Sequence, residues 1–323
     1  MNPMNIPKSS IAVVIPCYRV AYHILNVIES IGQEVDYIFV VDDACPERSG
    51  AIVAEKCIDK RVRVIFHKEN LGVGGAVISG YRAASDSGAF VIVKIDGDGQ
   101  MDPRLISKFV EPIILGEADY TKGNRFFDLQ SLKSMPRIRI FGNLALTFMS
   151  KLSTGYWNIF DPTNGYTAIN SKTLDFIGLE KLSNRYFFET DMLFRLNTIR
   201  ARVIDIPMKS KYCTEKSNLK VRNIFFEFLY KHTRNFIKRI FYNYYLRDIS
   251  VASFELPFGF FLLSFGIIFG LKTWLVAANT SYMTPTGTIM LVALAIILGT
   301  QFILGFLSYD ISMVPDRAIS KSL

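Results

Sequence analysis

Hydrophobic positions in the first two hundred residues come as short β-branched runs separated by longer stretches with helical spacing. The runs Ile11–Ile15, Tyr37–Val41, Val62–Phe66, Phe90–Ile95 and Val203–Ile206 predict strands. Between them, Ala21–Ile31, Ser49–Lys56, Gly75–Ala84, Pro103–Leu115, Arg139–Leu152 and Glu189–Ile199 predict helices. Such alternation implies an α/β domain with a mostly parallel sheet and ligands at the carboxyl ends of its strands. Polar, turn-forming residues fall at those ends: Pro16-Cys17-Tyr18, Asp42-Asp43 and Asp96-Gly97-Asp98.

The pattern changes near residue 219. Residues 219–252 mix bases and aromatics at helical spacing, as helices lying in a membrane interface do. Leu256–Ala278 and Thr288–Ser308 are then apolar for about the 20 residues a membrane-crossing helix needs. No charge occurs from Thr273 to Tyr309, which argues against a buried soluble hairpin. The expected division is therefore an α/β domain (1–218), basic juxtamembrane helices (219–252), a two-helix transmembrane hairpin (253–310) and a tail (311–323).

Charge supports that division. The 323-residue chain carries a formal +8 with half its residues hydrophobic, and residues 205–250 alone hold ten bases against four acids, a local +6. Placed just before apolar spans, such charge suits an anionic membrane surface rather than nucleic acid. Bases before the first span, none in the turn, and Arg317 and Lys321 after the second put both termini and the domain on the cytoplasmic side. A signal peptide is not expected, because the first apolar run, Ile11–Ile15, is too short for one. The four cysteines form no CxxC pair and the three histidines are scattered, so zinc is not expected.

Candidate chemistry centres on Asp96-Gly97-Asp98-Gly99-Gln100. Two carboxylates on a turn after a buried strand, with Gln100 as a neutral oxygen donor, can hold Mg²⁺ or Mn²⁺ shared with substrate phosphates. That points to a nucleotide-diphosphate site. Asp102 before Pro103 reads as a helix N-cap. Asp42 and Asp43 can bind a base or ribose, or cap the helix starting near Ser49. Asn70-Leu71-Gly72 belongs to a glycine-rich turn opening a helix, without a Walker A or Rossmann fingerprint. Arg125 follows a short strand, and Arg137 and Arg139 lie beyond it; a guanidinium fork suits phosphate or a surface salt bridge. Asp161-Pro162-Thr163-Asn164-Gly165 is a polar turn before the strand-like Thr167–Ile169, and Glu189 and Asp191 open a helix where acids favour the dipole.

As an ordered set, Val13-Val-Ile-Pro16-Cys-Tyr18, Val41-Asp42-Asp43, Glu69-Asn70-Leu-Gly72, Asp96-Gly-Asp98-Gly-Gln100, Gly123-Asn124-Arg125 and Asp161-Pro-Thr163-Asn164-Gly165 resemble glycosyltransferase family two. More closely, they are similar to its GT-A-fold polyisoprenyl-phosphate glycosyltransferases, relatives of dolichol-phosphate mannose synthase. The bacterial branch with two C-terminal spans extends the resemblance to the chain end. The resemblance implies a Rossmann-like GT-A domain that transfers a hexose, best read as glucose, from a UDP-sugar to undecaprenyl phosphate with inversion. Pro16, Tyr18, Asp42, Asp43, Asn70, Gly72, Asp96, Gly97, Asp98 and Gln100 would bind the nucleotide sugar. Asp96, Asp98 and Gln100 would surround the metal. Asp98, Arg125, Asp161 and Arg139 would form the catalytic group, Arg139 rather than Arg137 holding the lipid phosphate, with Glu215-Lys216-Ser217 on a loop over the site. The protein would sit in the bacterial cytoplasmic membrane, and its spans are compatible with a homo-oligomer.

The sequence departs from this family at Arg19-Val20, where Asn and Glu are usual, and at Ala44-Cys45, where Gly-Ser is common. Two rivals are a processive polysaccharide synthase, whose Gln-x-x-Arg-Trp motif is missing near Glu189–Arg195, and a non-catalytic membrane scaffold, which the intact Asp96, Asp98 and Arg125 disfavour.

Overall fold

The computed structural model describes residues 9–127, 137–209, 221–280 and 283–322, the side chains of 137–141 and 221–225 excepted. The strands are β1 (Ile11–Cys17), β2 (Tyr37–Asp42), β3 (Val62–Phe66), β4 (Val91–Lys94), β5 (Tyr120–Asn124), β6 (Thr167–Asn170) and β7 (Val203–Pro207). Helices interleave as α1 (Ile24–Glu29), α2 (Ser49–Lys56), α3 (Val73–Asp86), α4 (Ile106–Ile114), α5 (Arg137–Thr154), α6 (Ser171–Ile177) and α7 (Phe188–Thr198). The chain ends with α8 (Val221–Phe241), a π-helical turn (Tyr242–Arg247), α9 (Val251–Thr280) and α10 (Thr286–Ser312).

One seven-stranded sheet runs in the order β3-β2-β1-β4-β6-β5-β7. Its central strands are largely apolar because helices cover both faces, as in parallel sheets generally, with Asp42 closing β2 and Lys94 closing β4. The β1–β2, β1–β4, β2–β3 and β5–β7 pairs are parallel, and β6 runs antiparallel to both β4 and β5. The chain passes from β1 to β2 on one side and to β4 on the other, which opens a crevice at their carboxyl ends. The turns after β1, β2, β4 and β5 share that edge. Because β6 is reversed, the turn that precedes it, 161–166, arrives at the same edge.

α1 starts three residues later than periodicity alone predicts, because Arg19 adopts a left-handed backbone (φ 59°) and the chain turns through Ala21–His23 first. α6 is an addition to the expected alternation, and the strand expected at Thr167–Ile169 is present as β6 but runs antiparallel to its neighbours.

The chain forms two compact units, one of residues 1–236 with 315–323 and one of residues 237–314. In the first, α8 joins the catalytic domain as far as Phe236: buried Asn235 donates to Asp191 Oδ1 (3.0 Å), and His232 Nδ1 meets Ser153 Oγ (2.8 Å). The segment after α10 also belongs here. Fully buried Asp119 accepts backbone N–H groups from Arg202 (2.8 Å), Ile319 (2.9 Å) and Ser320 (2.8 Å).

In the second unit, α9 and α10 have mean hydropathies of 1.9 and 2.4 in their most apolar windows, of which only 6% and 17% are buried within the protein. They are long and apolar enough to cross a membrane, and too exposed to be the core of a soluble domain. Gly299 permits their close crossing, since a Cβ there would lie 2.6 Å from Leu263 N. Arg239, one of the ten bases, is committed inside this unit: its guanidinium grips Asp310 bidentately (2.6 and 3.0 Å), and Tyr244 donates to the same carboxylate (2.6 Å).

Burial lowers the His232 pKa to about 4, against an ordinary 6.5. Its folded-state pKa is depressed, so its neutral form stabilises the fold above pH 6.5 and that contribution is lost as pH falls toward 4. The loss is roughly 2 kcal/mol by pH 5. Thermal melts of the detergent-solubilised protein between pH 7 and 5 should fall more steeply for wild type than for His232→Gln; equal slopes would contradict this origin.

Candidate active site

β4 delivers the acidic turn. Its apolar run is buried to Ile95, after which the Asp96 side chain emerges, 32% exposed. Asp98 Oδ1 accepts the Gln100 N–H (3.0 Å), an Asx-type bond that shapes the turn. Gln100 thus enters the site first through its backbone. Asp102 caps the following helical turn by accepting the Arg104 N–H (3.1 Å), as its place before Pro103 suggests. Among the described residues no three His, Cys, Asp or Glu side chains gather for a metal. Asp96 and Asp98 are hard oxygen donors on one turn, so they fit a Mg²⁺- or Mn²⁺-type ion that draws its remaining ligands from diphosphate and water.

Behind Asp96 stands Lys94, almost fully buried, with Nζ 2.9 Å from Asp96 Oδ1 and 3.1 Å from Glu189 Oε1 of α7. Burial alone would lower its pKa, but the two carboxylates outweigh this and hold it charged, above its ordinary value. Gly165 closes over the pair. A Cβ there would lie 2.5 Å from Lys94 Nζ and 2.6 Å from Asp96 Oδ2, so any side chain at this point would have to displace one of these two charged ends. A second buried lysine, Lys122 of β5, donates to the Asn164 carbonyl of the same turn. Burial, partly offset by Glu189 and Asp161, lowers its pKa to about 8. Asp205, paired with Lys122 across β5 and β7, is raised by burial to about 6 and accepts the Phe160 N–H (2.9 Å).

Asp43 and the glycine-rich turn form one unit. Asp43 Oδ1 accepts the Leu71 N–H and meets His67 Nδ1, and Oδ2 accepts the Gly72 N–H, each at 2.8 Å. Asn70 Nδ2 donates to the Asp43 carbonyl (3.2 Å). Asp42 instead takes the Cys45 N–H (2.7 Å) on Oδ1 and the Gly50 N–H (2.6 Å) on Oδ2, and is only 4% exposed. Its carboxylate therefore organises the start of α2, one of the two roles its position allows. Gly97 is buried against Ile15, Val20 and Ile24, where it packs.

Pro16 ends the apolar part of β1, and Tyr18 lies 44% exposed beneath the Arg19 guanidinium (5.4 Å to the ring centroid). Arg19, Ala44 and Arg48 all have left-handed backbones (φ 59°, 51° and 55°) in the loops after β1 and β2, and the Arg19 N–H meets Cys45 Sγ (3.0 Å). Non-glycine residues in this region cost of order 1 kcal/mol or more each, and such strain concentrates at functional sites. Two of these, Arg19 and Ala44, fall at the departures from the family pattern, as does Cys45.

Arg125 and Asp161 also come together. The guanidinium engages the fully buried carboxylate through Nε (2.7 Å) and Nη2 (3.0 Å). Arg137 and Arg139 begin α5, but their side chains lie outside the described residues, as does the whole of Glu215-Lys216-Ser217. The residues that periodicity and motifs passed over are Lys94, Lys122, His67 and Asp205. The available signal was a lysine inside the otherwise apolar β4 and another in the short polar run Thr121–Asn124.

The model of the family described as Glycosyl transferase family 2 matches residues 12–178. A UDP-N-acetylglucosamine–dolichyl-phosphate N-acetylglucosaminyltransferase of Methanococcus voltae is 29% identical over 232 residues, which span 68% of this chain and 92% of that protein. An undecaprenyl-phosphate mannosyltransferase of Micrococcus luteus is 30% identical over 173 residues, 53% of this chain and 70% of its own. A solved structure of glucosyl-3-phosphoglycerate synthase from Mycobacterium tuberculosis, with Mn²⁺, UDP-glucose and phosphoglyceric acid, aligns with a TM-score of 0.53 at 16% identity, over 72% of this chain and 79% of that one. The last likeness is one of fold, and the catalytic domain has the GT-A fold.

Gly165→Ala should force Asp96 and Lys94 apart. A displacement of this order at a reacting centre lowers turnover by roughly 10²-fold. Initial rates of glycosyl transfer at equal folded protein check this; a variant with wild-type rates would show that the turn can shift without consequence.

Proposed function

The chain belongs to glycosyl transferase family 2, and on that premise we propose that it transfers a hexose from a nucleotide-diphosphate sugar to a polyisoprenyl phosphate in the membrane. The observation that carries this reading is the pairing of an Asp96–Asp98 turn with two exposed apolar helices in one chain. Curated relatives named for transfer to dolichyl or undecaprenyl phosphate support it. Bacterial undecaprenyl phosphate is the acceptor we favour, with the domain on the cytoplasmic face. UDP-glucose is the donor we favour from the family resemblance. UDP-N-acetylglucosamine is the second reading, favoured by the Methanococcus relative.

Asp96 and Asp98 would hold a divalent cation, which when bound offsets the charge of the leaving diphosphate. Asp43 shapes the Asn70–Gly72 turn at the nucleotide end of the crevice. Arg125, oriented by its bidentate pairing with Asp161, would bring a fixed positive charge to the phosphates. The acceptor phosphate is already anionic, so the site needs no strong base. Its task is to bring acceptor oxygen and anomeric carbon to about 3 Å in line, and one displacement then inverts the anomeric centre. Arg139 is our candidate for the acceptor phosphate.

Radiolabelled nucleotide sugars offered with undecaprenyl phosphate should give label in the organic phase with one donor, and EDTA should remove it. Asp98→Asn should lower that transfer by roughly 10²-fold or more with the fold retained. Transfer that persists fully in Asp98→Asn or in EDTA would overturn the metal role. Label reaching only soluble acceptors would overturn the lipid role.

A further inference from the structure

β4, β6, β5 and β7 lie side by side, and their register sets Lys94 opposite Thr167, Lys122 opposite the same Thr167, and Asp205 opposite Lys122. Directly paired residues of neighbouring strands point to one face. Two lysines, 1% and 0% exposed, therefore stand on one face of the sheet with a single threonine between them. Lysine is almost never fully buried without a partner. Each ammonium here is attached to a different turn of the crevice: Lys94 to Asp96 of the acidic turn, Lys122 to the Asn164 carbonyl of the turn before β6. Glu189 bonds Lys94 and favours the charge of Lys122. Gly165 lies against both Lys94 and Asp96, so Lys94 is also where the two turns meet.

A helix start accounts for an acid at position 189 but not for its burial against a lysine two residues before Asp96 in the chain. Without Lys94, Asp96 and Glu189 would be close carboxylates with no cation between them, and mutual repulsion would drive Asp96 away. With it, Asp96 is oriented before any ligand arrives, Oδ1 toward Lys94 and Oδ2 beside Gly165.

We propose that Lys94, held by Glu189, is a positioning residue that pre-orients Asp96 for the metal–nucleotide complex. This rests on the reading of Asp96 as a metal ligand. Residues behind a ligating side chain typically change metal affinity by about 10- to 100-fold when lost, and the same range is expected here.

The test uses the full chain in detergent. Mn²⁺ binding is followed by electron paramagnetic resonance with UDP present, UDP binding is measured without metal, and transfer kinetics are run alongside. Lys94→Met should weaken Mn²⁺ affinity by about tenfold or more while leaving metal-free UDP affinity within about twofold. Glu189→Gln should weaken it less, because Gln still accepts a bond from Lys94. The double variant should be no worse than Lys94→Met alone, since the two share one function. Should Lys94→Met fail to fold, Glu189→Gln and the charge-balanced double variant carry the test. Folded variants with wild-type Mn²⁺ affinity would overturn the proposal while the metal reading stands. A wild-type protein that binds UDP but no Mn²⁺ would overturn the metal reading itself, and the proposal with it.

Discussion

A single reversed strand decides where the chemistry can assemble. In a wholly parallel sheet, only the loops that leave strands reach the carboxyl edge, and those loops run on into helices. β6 enters between β4 and β5 in the opposite sense, so the loop that precedes it reaches that edge as well. Asp161, Asn164 and Gly165 sit there for this reason. Arg125 at the end of β5 finds Asp161 because their strands are hydrogen-bonded neighbours running in opposite directions. The same arrangement sets Gly165 against Asp96 and Lys94 at the end of β4.

Charge is handled differently in the two units. The catalytic crevice gathers acids that would repel each other, and the fold answers with cations placed behind them in the sheet. Buried ion pairs of this kind contribute little net stability, because desolvation offsets most of their attraction. Their value lies in geometry: each fixes a side chain that a solvated partner would leave free. Arg239, Asp310 and Tyr244 do comparable work in the other unit, where a bidentate grip joins residues near the start and the end of that segment. A base that composition assigns to lipid headgroups is there an internal fastener.

Much of the fold was legible in sequence. The five strand runs, the six helical stretches and both apolar spans recur with boundaries shifted by a few residues, because burial on both faces of a parallel strand writes itself as a continuous β-branched run. The reversed β6 was legible only as a short apolar stretch after a polar turn; strand direction leaves no local trace. At the site, Asp43, Asn70 and Gly72 do converge, as do Arg125 and Asp161, in agreement with their order along the chain. Asp42 illustrates the limit: its position suits base recognition and helix capping alike, and the capping becomes visible only once the Cys45 and Gly50 amides are placed. Lys94 and Glu189 lie far apart in sequence, and neither belongs to a motif, so their meeting is a product of tertiary packing.

Asp119 carries a practical consequence for anyone who wants the catalytic domain without its membrane segment. Two of the three amides on its carboxylate come from Ile319 and Ser320, beyond the apolar hairpin. In topological terms the hairpin interrupts the domain, as an insertion does, and the last stretch of the domain is made after it. Cutting the chain ahead of the hairpin would strip Asp119 of two of its three backbone donors, whatever was done to the surface for solubility. Excising the hairpin and splicing the two flanks with a flexible linker would keep the domain's own material together.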